Sequence, residues 1–217
     1  MIQSMIRAIT ARHHLTGMNL GEYRKMKIKG MDVQIFAFRA EGIGHVSAMQ
    51  ISGFLGLSKR DTLVINPDEV DLPMFCYERI YGVGSDTMSV ELIDTLLQPK
   101  AFAPLECVRE NVANLPDVDP CASWYDSLKL KQSISKKGRK ADQPALDHAA
   151  MDYLTAYLDS VPVAYLCDPV GKLQKAYSYV EGMLEHGGAI VDPFMKTLGA
   201  EKTGHLFRNI LFGTGRI

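Results

Sequence analysis

The chain has 217 residues, with 24 Lys and Arg against 25 Asp and Glu, and a formal net charge of −1. That balance argues against a nucleic-acid partner, which needs a concentrated basic surface, and no apolar run reaches the roughly 18 residues of a membrane-crossing helix. The length and a hydrophobic fraction of 47% fit one domain over residues 1–217 with an ordinary core.

Residues 1–20 read as a helix ending near Gly17 or Gly21. Its mildly amphipathic start lacks a small-residue cleavage site, so no secretory signal is expected. Lys25, Lys27 and Lys29 then alternate with Met26 and Ile28, the pattern of a half-exposed edge strand. A second strand is expected over residues 33–38, a turn at Glu41-Gly42-Ile43-Gly44 and a third strand over residues 45–52. Leu57 to Arg60 reads as a turn into a strand over residues 61–66. The chain then turns through Asp71-Leu72-Pro73-Met74-Phe75, re-enters a strand, and turns again at residues 82–86 into a strand over residues 87–94. Pro99, Pro104, Pro116 and Pro120 mark an irregular stretch with a short helix near residues 105–112.

Residues 129–140 are rich in lysine and read as a mobile, solvated loop. Residues 129–139 offer a docking surface for an acidic electron carrier, because clustered positive charge steers an oppositely charged partner. Apolar residues at helical spacing predict a helix over residues 146–160. Another is expected over residues 172–186, stopped by Gly187-Gly188. Asp192 reads as the N-cap of the next helix, with Pro193 in its first turn. Helices bracketing strands joined by short turns imply a mainly antiparallel sheet covered by helices.

Cys76, Cys107, Cys121 and Cys167 stand far apart and form no CxxC pair. No metal centre is expected, and reduced thiols suit a cytoplasmic protein. HExxH, GxSxG and GxxxxGK[ST] are all missing, which speaks against zinc protease, serine hydrolase and P-loop chemistry. Gly82 and Gly84 lack a third glycine and a following helix, so they are no dinucleotide fingerprint. His45 shares a strand face with Ser47, Met49 and Ile51 and reads as a structural histidine.

In the strand over residues 87–94, alternation puts Met88, Val90 and Leu92 on one face with Asp94, and Glu91 on the other. Asp94 is then either a solvated rim residue or a carboxyl facing a pocket, where desolvation would make it a usable proton donor. The turn Asp71-Leu72-Pro73-Met74-Phe75-Cys76, the strand ending at Asp94, the lone Trp124 before a strand-like segment, and the closing residues Phe194 to Gly199 and Phe207 to Phe212 occur in that order.

This order resembles the ferredoxin-dependent bilin reductases, including relatives acting on red chlorophyll catabolite, over residues 47–212. The resemblance implies an α/β fold, a three-layer α/β/α sandwich around the antiparallel sheet. It implies proton-coupled reduction of a linear tetrapyrrole such as biliverdin, with electrons from ferredoxin or a similar carrier and no tightly bound cofactor. Asp94 and Asp192 match the family's catalytic carboxylates. Met49, Ser52, Thr62, Val64, Phe75 and Arg208 are the implied substrate-binding residues. Ser52 stands where phycocyanobilin-forming members have a glutamate, and Thr62 where they have a histidine; neither hydroxyl donates a proton at neutral pH as those groups do. A non-catalytic bilin- or haem-binding protein on the same fold is the alternative.

Overall fold

The computed structural model describes residues 1–53, 58–82, 86–100, 102–119 and 122–215. One eight-stranded sheet runs through the molecule: β1 (Leu15–Gly17), β2 (Lys25–Ile28), β3 (Met31–Ala40), β4 (Gly44–Gly53), β5 (Ser58–Pro67), β6 (Met74–Tyr81), β7 (Asp86–Ile93) and β8 (Ile134–Gly138). Strands β3 to β8 pair in sequence order, and β1 and β2 both pair with β3; every pairing is antiparallel. Sequential neighbours joined by short turns can pair only in this sense.

Strand alternation gives the sheet two faces, each with its own core. On one, Val46, Ala48, Leu63, Phe75, Tyr77, Met88 and Val90 pack against α1 (Ile2–Thr10), α2 (Ala103–Asn111) and α3 (Gln143–Asp159). On the other, Ile35, Met49, Val64, Met74 and Ile93 pack against α4 (Pro169–His186), α5 (Val191–Leu198), α6 (Ala200–His205) and a π-helical segment, Leu206–Leu211. The architecture is therefore the expected α/β/α sandwich.

Several local expectations change. The first helix ends at Thr10, and Leu15–Gly17 joins the sheet instead, opposite Phe38 to Ala40. Only Ile2, Met5 and Ile9 supply its buried stripe, so the helical pattern ends with them. The turn at Glu41 to Ile43 is present. It feeds into Gly44, whose φ is +141° and where a Cβ would lie 2.6 Å from the Asn66 carbonyl; only glycine fits there. Leu57 lies outside the described residues, while Ser58 to Arg60 already belong to β5.

The lysine-rich residues 129–140 are not a loop throughout, because β8 closes the sheet edge against β7. Lys136 is buried there, bound to Asp117 at 2.8 Å and to the Leu115 carbonyl. Lys131 pairs with Glu106 and Lys137 with Asp119. Lys136 is thus used to order the chain, while Lys131 stays exposed in its ion pair.

The Asp71-Leu72-Pro73-Met74-Phe75 turn is a structural lock. Tyr157 on α3 donates to the Pro73 carbonyl at 2.8 Å, and the Met74 N–H donates to Thr95. From the opposite helical layer, the fully buried Lys172 donates to Asp71 at 3.0 Å, to the Leu72 carbonyl and to the Thr95 carbonyl. Asp71 also accepts from the Leu97 and Gln98 N–H groups. Among the described residues, no helix is long and apolar enough to cross a membrane.

Candidate functional site between the sheet and the C-terminal helices

The α4-facing side of the sheet carries an unusual run of polar groups. Its central cross-strand rung reads Ile35, Met49, Thr62, Glu78, Ser89, Ser135 from β3 to β8. The next rung reads Ala37, Ser47, Val64, Cys76, Glu91. Glu78 and Glu91 are thus diagonal neighbours on one face, within reach of each other. Each is held by a cation. Arg60 Nε lies 3.1 Å from Glu78 Oε1, and Lys129 Nζ lies 2.9 Å from Glu91 Oε1.

An aromatic cluster adjoins Glu91. Trp124 stacks on His186 at 4.9 Å and on Tyr179 at 5.8 Å, and Tyr125 meets Tyr179 edge-on at 5.6 Å. The Tyr125 hydroxyl reaches Glu91 at 3.5 Å, and Lys129 Nζ lies 4.5 Å from the Tyr125 ring centre. The Trp124 ring lies flat on Gly182 of α4, where a Cβ would come within 2.5 Å of it. Gly182→Ala must therefore push the ring off the helix. Trp124 is the sole tryptophan, so its emission should shift to the red in this variant and report the displacement. Unchanged emission would show that the ring does not rest there.

Burial shapes the protonation of this site. It pushes the Glu78 carboxyl above the ordinary value of 4.5; the Glu91 charge adds to the effect and Arg60 opposes it. A carboxyl so placed holds its proton to higher pH and can donate it to a ligand. Burial, helped by Glu91, pushes Tyr125 up to about 12. Burial likewise pushes the Cys76 thiol far up, so it is no nucleophile.

Farther along the same sheet face, the π-helical segment Leu206–Leu211 packs against β4. The last carbonyls of the π-helical segment and its cap lack helical partners. His45 Nε2 donates to the Ile210 carbonyl at 2.9 Å, Ser47 to that of Leu211, and Asn66 to that of Phe212 at 2.7 Å. His45 thus has the expected structural role.

The sequence-predicted residues divide. Met49, Thr62 and Val64 lie together on this face. Ser52 does not: it sits one position off in the alternation and points to the opposite face, exposed. Phe75 is also on the opposite face, fully buried against Tyr157. Arg208 lies outside the slot's carboxylates, bound to Glu181 through Nε at 2.5 Å and Nη2 at 2.9 Å.

Asp94 falls just past β7, exposed, where its carboxylate accepts the Leu96 N–H at 3.1 Å in a local turn. It does not extend the strand face, because the strand ends at Ile93. Asp192 is not the N-cap either. Helix α5 begins one residue earlier, at Val191, and the exposed Asp192 accepts the Gly188 N–H at 2.9 Å.

The groups missed in the sequence are Glu78 and the aromatic cluster beside Glu91. The available signal was the alternation of β6 against β5, which puts Glu78 opposite Thr62. On β7, the apolar face Met88, Val90, Leu92 faces α3, so the site side is the one bearing Glu91. Two open grooves, of about 550 Å³ beside Lys25 and Gln50 and about 570 Å³ beside Met18 and Phe36, lie toward the sheet edge and include neither carboxylate.

No family model matches this sequence. No curated protein matches it. Among solved structures, the chain is similar to phytochromobilin synthase from tomato in complex with biliverdin: the TM-score is 0.80 at 15% identity, over 99% of this chain and 83% of that one. At that identity the likeness is one of fold, and the chain has the fold of that bilin-bound enzyme.

Proposed function

We propose that the chain binds a linear tetrapyrrole between the sheet rung Met49–Thr62–Glu78 and the aromatic residues Trp124, Tyr125 and Tyr179, and reduces it. The observation that carries this reading is Glu78: a half-buried carboxyl with a raised pKa, on a fold shared with a biliverdin complex. A flat conjugated ligand needs an apolar slot with few placed polar groups. Here Met49, Val64 and the rings supply the apolar walls. Arg60 and Lys129, paired with Glu78 and Glu91, would have to be shared with carboxylate side chains of the ligand.

Reduction of one carbon–carbon double bond takes two electrons and two protons. An external one-electron carrier such as ferredoxin delivers the electrons in this reading. Glu78 delivers one proton to the ligand, and solvent supplies the other.

A second reading is non-catalytic binding. It is favoured by the Arg60 ion pair, which works to keep Glu78 ionised, and by Thr62, which cannot act as an acid. Biliverdin titration followed by reduced ferredoxin separates the two. A shifted absorbance band that then decays to a new product supports reduction. A shifted band that persists leaves binding alone, and no shift at all removes the tetrapyrrole.

A further inference from the structure

The opposite face of the sheet holds a second polar feature. The rung Phe36, Ala48, Leu63, Tyr77, Val90, Ile134 is almost wholly apolar and lies under α1 and α3. One step along each strand the character changes. The next rung reads Lys25, Gln34, Gln50, Asp61, Arg79 from β2 to β6 before the apolar Met88 on β7, and the one beyond it Lys27, Asp32, Ser52, Lys59, Tyr81, Asp86. This is a polar band across six strands, set by register alone.

Much of the band is ion-paired. Arg79 is fully buried with its Nε 2.6 Å from Asp86. The fully buried Asp61 takes Lys59 at 3.1 Å and the Gln50 amide at 3.1 Å. Lys27 pairs with Asp32 at 3.2 Å. Within the band, among the described residues, the side chains of Lys25 and Gln34 have no hydrogen-bond or ion-pair partner. That end opens into the groove of about 550 Å³ lined by Lys25, Lys27, Gln34, Gln50, Ser52 and Lys59, among others.

We infer that this groove is a second ligand site, which takes a small molecule bearing a multiply charged oxyanion, a phosphate or a carboxylate group. The volume suits a small molecule. The lining offers lysine ammonium groups, amides and a hydroxyl, and the one carboxylate among the groove residues, Asp32, is already matched by Lys27. An oxyanion there completes Lys25 and gains charge-assisted hydrogen bonds from the amides. The buried Asp61 carboxylate holds the Lys59 and Gln50 side chains in place, which orders this part of the groove before the ligand arrives. It lies across the sheet from Glu78, and its test uses no tetrapyrrole.

Inorganic pyrophosphate and, separately, citrate are titrated into the full chain by calorimetry at low salt. Saturable binding of either is expected. Tighter citrate binding marks a carboxylate ligand, and tighter pyrophosphate binding a phosphate ligand. Lys25→Gln should weaken binding by about fivefold, and Lys25→Gln with Gln34→Ala by about tenfold or more. Lys25→Arg should preserve it. Lys202→Gln, an exposed control paired with Glu22, should leave it unchanged. Binding of neither anion by the unmodified chain, or equal affinity in Lys25→Gln, overturns the inference.

Discussion

Glu78→Gln should keep biliverdin binding and lose about 10²- to 10⁴-fold in turnover, the usual cost of a missing general acid. The amide nearly matches the carboxyl in shape and still hydrogen-bonds, yet it has no proton to give. Asp94→Asn and Asp192→Asn form the contrast. Each carboxylate accepts one local N–H in an exposed turn, and an asparagine oxygen can do the same. Both variants should retain turnover. Measured with one tetrapyrrole and one reductant, the three variants locate the acid. Full turnover in Glu78→Gln with binding intact would remove Glu78 from the chemistry, and loss in Asp94→Asn would return the role to the strand end.

Lys172→Met should destabilise the fold by about 3–5 kcal/mol, read as a lowered urea midpoint with an unchanged slope. The ammonium is fully buried and joins α4 to the Asp71–Phe75 turn and to Thr95 just past β7. Methionine fills the volume but strands the Leu72 and Thr95 carbonyls and leaves Asp71 without its cation.

The same pair sets an acid limit. Burial works to raise the Asp71 carboxyl, but the Leu97 N–H, Lys172 and the Gln98 N–H outweigh it and hold the group below its ordinary 3.8. A depressed folded value means that the ionised pair stabilises the protein above pH 3.8 and that this share is lost as pH falls through the lower folded value. In Asp71→Asn that part of the acid loss should disappear. An unchanged acid profile would show that Asp71 is not the group responsible.

Strands β2 to β7, their antiparallel pairing and a helical cover were legible in the residues, because alternation and turn chemistry are local. Edge strand β2, the turn before Gly44 and the helix stop at Gly187 all follow from patterns a few residues long. Strand β8 was not legible. Its lysines look like a solvated loop until Asp117, Asp119 and the Leu115 carbonyl, distant in sequence, come to meet them.

The site shows the same division. That β7 carries a carboxylate on each side of its alternation is written in the sequence. Which side faces the C-terminal helices depends on where α3 and α4 pack, and that is a property of the whole fold. The sequence by itself determined the antiparallel sheet, its helical cover and the Leu72-Pro73 turn. Tertiary structure alone decided that Glu78 and Glu91 share the sheet face that Tyr179 of α4 also packs on, because register and layer order are settled by contacts between residues far apart in the chain.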